Sequence, residues 1–397
     1  NAPLLKSMER FYFVLWKTKI TAFIHYFAAT IAFKIIMAKI NFYSGPAILP
    51  QEVLEKTKEA ITEFENTGFS LLEISHRSKE FVAVMEGARA LTKELMGLND
   101  AYEVLFLQGG ASTQFYTIPY NLLDETKTGV YLDTGTWAHG ALEQAKLFGK
   151  VHVAASSKDS NYSFIPKQWD MPAQASYLHI TTNNTIYGTQ YQFNPSPKAY
   201  FGVEYPLIAD MSSDIFSRVI PFADFDLIYA GAQKNMGTSG ATMVAVKKSL
   251  LGKVNRNIPS MVDYQVQIAN GSMKNTPGVL PVYVSYLTLQ WIKAQGLNNI
   301  EQQNNTKAEM LYDAIDNSAL FKGTVAKEDR SKMNVCFVME DKNLEPLFAQ
   351  YAKENGLIGL EGHRSVGGFR ASIYNAMPVS GVESLIQAMK EFEKTKA

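Results

Sequence analysis

Seven short apolar runs, at residues 104–107, 129–132, 151–154, 176–180, 207–209, 227–229 and 241–246, occupy the middle of the chain, most of them separated by helical or loop stretches. Runs so short and so uniformly apolar suit strands buried on both faces, the condition of a parallel sheet covered by helices. The alternation predicts a doubly wound, mostly parallel seven-stranded α/β sheet with ligands at the carboxyl ends of its strands. Ahead of it, a helix over 51–64 has Val53, Leu54, Thr57, Ile61 and Phe64 on one stripe, and a second amphipathic helix covers 81–96. After the runs come a long helix at 283–295, a helix at 299–317, a strand at 334–339 and a helix at 343–355. The last helix carries Ser380 and Glu383 in the spacing of a capping box, with Val382, Leu385, Ile386, Met389 and Phe392 as its stripe. This organisation predicts a large domain at 51–295, a smaller α+β domain at 296–397, and an extended segment at 38–50 joining the latter.

Residues 1–37 differ from the rest. They hold five basic residues (Lys6, Arg10, Lys17, Lys19, Lys34) against Glu9, among many aromatics, and 20–33 is mostly apolar. That run is short for a membrane span and contains His25. The expectation is an atypical, helical N-terminal extension, with membrane contact the lesser alternative.

Lys+Arg and Asp+Glu both number 38, and the zero net charge argues against a nucleic-acid binder. Any anion site must be local. A single cysteine, Cys336, excludes an intramolecular disulfide and a multi-cysteine metal site; no metal is expected, and a reduced, cytoplasmic setting fits.

The chemistry concentrates at strand ends. Lys234 follows an apolar run into small residues, Tyr229-Ala-Gly-Ala-Gln-Lys-Asn235. A partly desolvated amine there could lose its proton near neutral pH and attack a carbonyl, as a Schiff-base lysine must. A solvated lysine in a turn is the alternative. Asp210 ends Tyr205-Pro-Leu-Ile-Ala-Asp210; it could hold a pyridine nitrogen protonated, or cap the next turn. Gln108-Gly-Gly-Ala-Ser-Thr-Gln114 lets backbone amides approach a phosphate at a helix N-terminus, or is a plain tight turn. Trp137 could stack on a flat ring or sit in a core, and the hydroxyl of Thr185 could reach a ring oxygen. Two His-Arg pairs, His76-Arg77 and His363-Arg364, together with Arg370, lie in glycine- and serine-rich loops that either bind oxyanions or are merely solvated.

Taken in order, Asn41-Phe-Tyr-Ser-Gly-Pro-Ala47, Ile74-Ser-His-Arg77, the lysine segment, Asn275-Thr-Pro277 and Gly362-His-Arg…Arg370-Ala-Ser-Ile-Tyr-Asn375 resemble the phosphoserine aminotransferase family of class V, fold type I pyridoxal-phosphate enzymes. The resemblance runs from about Asn41 to the C-terminus and implies amino transfer between L-glutamate and 3-phosphohydroxypyruvate, with 4-phosphohydroxythreonine as a further substrate of some members. It implies pyridoxal 5'-phosphate on Lys234, Asp210 at the ring nitrogen, Trp137 on the ring face and Thr185 at its hydroxyl. Ala111, Ser112 and Gln233 would hold the phosphate, joined by Asn275 and Thr276 from the second subunit of a homodimer whose active sites lie at the interface. His76 and Arg77, also from the partner, would join His363, Arg364 and Arg370 around substrate anions. Several relatives carry Gly-Arg where this chain has Ala111-Ser112, so the phosphate would lean more on backbone donors. The rivals are a class V transaminase of the alanine- or serine-glyoxylate type, whose substrates lack a distal phosphate, and a cofactor-binding scaffold without turnover.

Overall fold

The computed structural model describes residues 39–194, 196–364 and 366–396. The extension at 1–37, with its apolar run, lies outside the described residues. All seven expected strands are present within a residue or two of their predicted limits. They form one sheet in the order Tyr102–Leu107, Thr242–Lys247, Leu227–Gly231, Leu207–Asp210, Tyr177–Thr181, Thr128–Asp133, Lys150–Ser156. Only Thr242–Lys247 runs against its neighbours; the other pairings are parallel.

Alternate residues of each strand feed two cores, because successive side chains point to opposite faces. Phe106, Ile180, Ala209 and Ile228 face one layer, built on helices Lys79–Leu95 and Val279–Gln295. Leu105, Tyr131, Tyr177, Ile208 and Tyr229 face the other, under helices Gly110–Leu122 and Thr136–Ala145. The second layer is rich in buried tyrosine: Tyr131, Tyr177, Tyr229 and Tyr264 all belong to it.

A separate apolar cluster unites helices Leu297–Asp316, Glu345–Glu354 and Val379–Lys396 with an antiparallel sheet of Phe321–Gly323, Asn334–Met339 and Phe369–Ser372. The two long helices meet at Gly296, whose φ of 76° lets one stop and the next begin. Ile40–Asn41 pairs in parallel with Leu357–Ile358, and Phe42 joins this cluster. The chain then passes into the large sheet's territory, where Ala47 N donates to Gln233 O at 2.9 Å.

Two expectations need correction. In helix Gln51–Thr62 the buried line is Val53, Ala60 and the following Phe64, whereas Leu54 and Ile61 are exposed. The line that packs steps by seven and then four residues against the Val279–Gln295 helix, where Phe64 meets the edge of Tyr283 at 5.4 Å. Ser380 is not a cap: the last helix begins at Val379, so Ser380 lies inside the first turn and its carbonyl accepts from Ser384 Oγ. The predicted stripe of that helix does pack, Ile386 only partly.

Lys307, fully buried in helix Leu297–Asp316, donates from Nζ to the carbonyls of Ile373, Tyr374 and Met377 at 3.0, 2.8 and 3.0 Å. Burial pushes its pKa down to about 7, while three acceptors match the three protons of an ammonium. Lys307→Met removes all three donors from buried carbonyls and should lower stability by roughly 3 kcal/mol, read by equilibrium urea unfolding of the full chain.

Candidate active site

Five strand ends converge. A cavity of about 140 Å³ at the carboxyl edge of the large sheet is lined by Ala111, Ser112, Trp137, Thr185, Asp210, Gln233 and Lys234, with Ser212 and Ser213. The distance in sequence between these residues is closed by the parallel topology, which brings every carboxyl end to one edge.

The lysine is half-buried. Lys234 Nζ donates to Thr185 Oγ1 at 2.6 Å, and burial pushes its pKa down to about 8 against the pull of Asp210, with Arg370 adding to the depression. Asp210 is buried too, and burial raises its carboxyl above the usual range. Ser212 opposes this by donating to Asp210 Oδ1 from its backbone N at 2.9 Å and from Oγ at 2.6 Å, while Ser212 Oγ accepts from Gly231 N at 3.1 Å. Asp210 thus organises the turn after its strand and also faces the cavity; the two sequence alternatives coexist. Behind it, Asp214 accepts from Thr182, Gln190 and Arg218, a buried ion pair that holds the same turn.

The anion-binding end is built by backbone. Helix Gly110–Leu122 begins at the cavity with no acidic residue in its first turn and no side-chain cap. Gly109 enters it at φ 95°, and a Cβ there would stand 2.1 Å from Thr113 Oγ1, so only glycine fits the approach. Free amides and the helix dipole favour a phosphate at this place. Trp137, 38% exposed, opens the next helix and offers its indole to the cavity. An amine, a carboxylate, a flat aromatic face, a hydroxyl and an anion cradle around one space fit pyridoxal 5'-phosphate.

Of the cationic set, Arg370 reaches this site. Its Nη2 donates to Ser44 Oγ at 2.8 Å and its Nη1 to Thr185 O at 3.4 Å, while the buried Nε has no partner among the described residues. His363 lies close enough for burial and the charges of Arg370 and Arg364 to lower its pKa; Arg364 is exposed on the same loop. Within one chain His76, Arg77, Asn275 and Thr276 do not line the Lys234 cavity. Asn275 lines a neighbouring cavity of about 310 Å³, and Thr276 O accepts from Gln108 Nε2 at 2.7 Å. Arg77, Asn275 and Thr276 are exposed, and His76 keeps a buried Nε2 without a partner among the described residues.

The sequence reading missed Ser44, Ser212, Tyr229 and Asn235. Ser212, two residues after Asp210, had a local signal, the spacing of an Asx turn. The others had none, because their partners lie tens or hundreds of residues away.

Residues 40–385 match the family model described as aminotransferase class V. A phosphoserine aminotransferase of Flavobacterium psychrophilum is 55% identical over 359 residues, covering 90% of this chain and 99% of the relative. The solved phosphoserine aminotransferase from Bacillus circulans subsp. alkalophilus superposes with a TM-score of 0.87 at 44% identity, over 91% of this chain and 100% of that one. A pyridoxal-phosphate-bound phosphoserine aminotransferase from Trichomonas vaginalis does so with 0.83 at 35% identity, over 89% and 99%. The chain belongs to the class V aminotransferases and, within them, to the phosphoserine aminotransferases.

Proposed function

We propose that this protein transfers an amino group between L-glutamate and 3-phosphohydroxypyruvate, giving 2-oxoglutarate and O-phospho-L-serine, with pyridoxal 5'-phosphate as cofactor. The observation that carries the reading is the pairing of a half-buried amine, Lys234, with a buried carboxylate, Asp210, in one cavity. When bound, the cofactor supplies an electron sink for the pair left on the substrate Cα. Lys234 would hold it covalently, then act as the base that takes the Cα proton and returns it on the far side of the transfer. Asp210 would keep the ring nitrogen protonated, Trp137 would fix the ring plane, and Thr185 would hold the ring oxygen. The amides of Ala111 and Ser112, with Gln233, would bind the phosphate.

Arg370, anchored on Ser44, is placed for a substrate carboxylate, and His363 and Arg364 for the distal anion. One pocket must accept a carboxylate in one half-reaction and a phosphate in the other, which suits guanidinium and imidazole on loops. The partner subunit of a homodimer would supply His76, Arg77, Asn275 and Thr276. Phe69 and Leu72, both 61% exposed beside the His76–Arg77 turn, support a surface covered in a dimer. We read 51–295 as the cofactor domain and 296–397 as the smaller domain, with 38–50 joining it, in a cytoplasmic enzyme. Use in pyridoxine biosynthesis, on 4-phosphohydroxythreonine, would need the same anion loops. An alanine- or serine-glyoxylate activity would leave His363 and Arg364 without a distal substrate anion.

The decisive measurement follows the cofactor's visible absorbance. L-Glutamate should discharge it and 3-phosphohydroxypyruvate restore it, while pyruvate fails; equal response to pyruvate would favour the glyoxylate-type reading. Lys234→Ala should lower turnover by about 10³-fold. Because burial lowers the Lys234 pKa to about 8, the ammonium predominates below that pH. Covalent capture of cofactor by the apoprotein should therefore speed about tenfold per pH unit up to about 8 and level off above it, by stopped-flow absorbance. Mixing Lys234→Ala chains with Arg77→Ala chains, each nearly inactive, should restore part of the activity if the site is shared; no recovery would place Arg77 outside it.

A further inference from the structure

Tyr229 lies beside Asp210 on the paired strand, Cα opposite Cα, and burial together with the nearby Asp210 carboxylate raises the pKa of its hydroxyl. On its other side the same hydroxyl meets His179 Nε2 at 3.0 Å. His179 is buried on strand Tyr177–Thr181, across the Asp210 strand, stacked on Tyr131 at 5.0 Å, and its Nδ1 has no hydrogen-bond partner among the described residues. Neither residue lines the cavity; Tyr229 belongs to the tyrosine-rich apolar cluster, and His179 stacks on Tyr131 of that cluster.

We propose that Tyr229 and His179 are positioning residues for amino transfer, a buried chain of donors behind Asp210 that keeps its carboxylate ionised toward the cofactor ring. The inference rests on the placement of Asp210 proposed above. Proton accounting gives the chain its direction. An ionised carboxylate only accepts, so the Tyr229 hydroxyl donates to Asp210. Its oxygen then accepts from His179 Nε2–H, and Nδ1 is left as a bare lone pair. That tautomer puts the lone pair on Nδ1, which has no hydrogen-bond partner among the described residues. The histidine stays neutral because burial holds its pKa at about 3, so no positive charge competes with the ring nitrogen for Asp210. The other groups facing Tyr229 are Tyr264 and Tyr177; those facing Asp210 are Ser212, Lys234 and Asp214.

Burial drives Asp210 towards its neutral form, and a neutral carboxyl holds a ring proton poorly. Tyr229→Phe removes the donor and preserves the ring. In the holoenzyme it should lower kcat about tenfold with KM for L-glutamate within about twofold. It should also move the pH midpoint of the cofactor's visible band upward by about one unit, because a less positive ring holds the Lys234-linked proton more tightly. His179→Leu should give a smaller shift in the same direction. His179→Gln, whose amide offers an N–H at a similar reach, should restore the wild-type midpoint. The double variant Tyr229→Phe/His179→Leu should match Tyr229→Phe alone, since His179 acts through that hydroxyl. A wild-type midpoint in Tyr229→Phe, or multiplicative losses in the double variant, would overturn the proposal. Asp210→Asn separates the two levels. If it changes the band and kcat while Tyr229→Phe does not, only the chain is wrong; if it changes neither, the site reading fails with it.

Discussion

Keeping Lys234 and Asp210 out of water is the constraint that the rest of the molecule serves. Each is destabilised by burial, the lysine towards its neutral amine and the aspartate towards its neutral acid, and each is favoured in its charged form by the other. Local donors and acceptors complete the compensation. Thr185 takes the lysine's hydrogen bond, and Ser212 gives two to the aspartate. A buried amine with a pKa near 8 is poised between holding and giving up a proton, as a shuttle requires.

The polar layer extends from this pair into the frame. Asn235, next to Lys234, accepts from Asn375 N at 3.0 Å, and Asn375 in turn accepts from Asn304 of helix Leu297–Asp316 at 2.9 Å. Asn183, in the turn that carries Thr185, donates to Ser213 and to Asn334 at 2.7 and 2.8 Å. Asn334 donates to Tyr374 at 3.1 Å, and Tyr374 to Ser44 O at 2.8 Å. These bonds tie the lysine turn, the Arg370 strand and the smaller sheet into one register. Being buried, they tolerate no slippage without leaving a polar group unpaired.

Much of the fold was legible because burial on both faces leaves a plain mark, a short run of Val, Ile, Leu and Ala. Six of the seven strands are buried in this way; the edge strand Lys150–Ser156 buries only Ala154 and leaves Val153 exposed, although its sequence looks the same. Helix faces were less legible. Leu54 and Ile61 look like a packing stripe but are exposed, whereas Val53 and the small Ala60 are the buried positions, and an alanine leaves little periodic signal. Ser380 and Glu383 have the capping spacing, yet the helix starts one residue earlier, at Val379.

By itself the sequence determined the layered α/β sheet and the residues at its carboxyl edge: Lys234, Asp210, Thr185, Trp137 and the glycine-rich turn before Ala111. It could do so because strand pattern and strand-end chemistry are local, and a parallel sheet sends all such ends to one side. Only the tertiary structure decided what surrounds them. Ser44 reaches Arg370 across 326 positions of chain, Tyr229 meets His179 across 50, and Lys307 finds three carbonyls near residue 375. Such contacts depend on sheet order and on how the two apolar clusters meet, and the hydrogen-bonding needs of a buried group do not name its partner in advance.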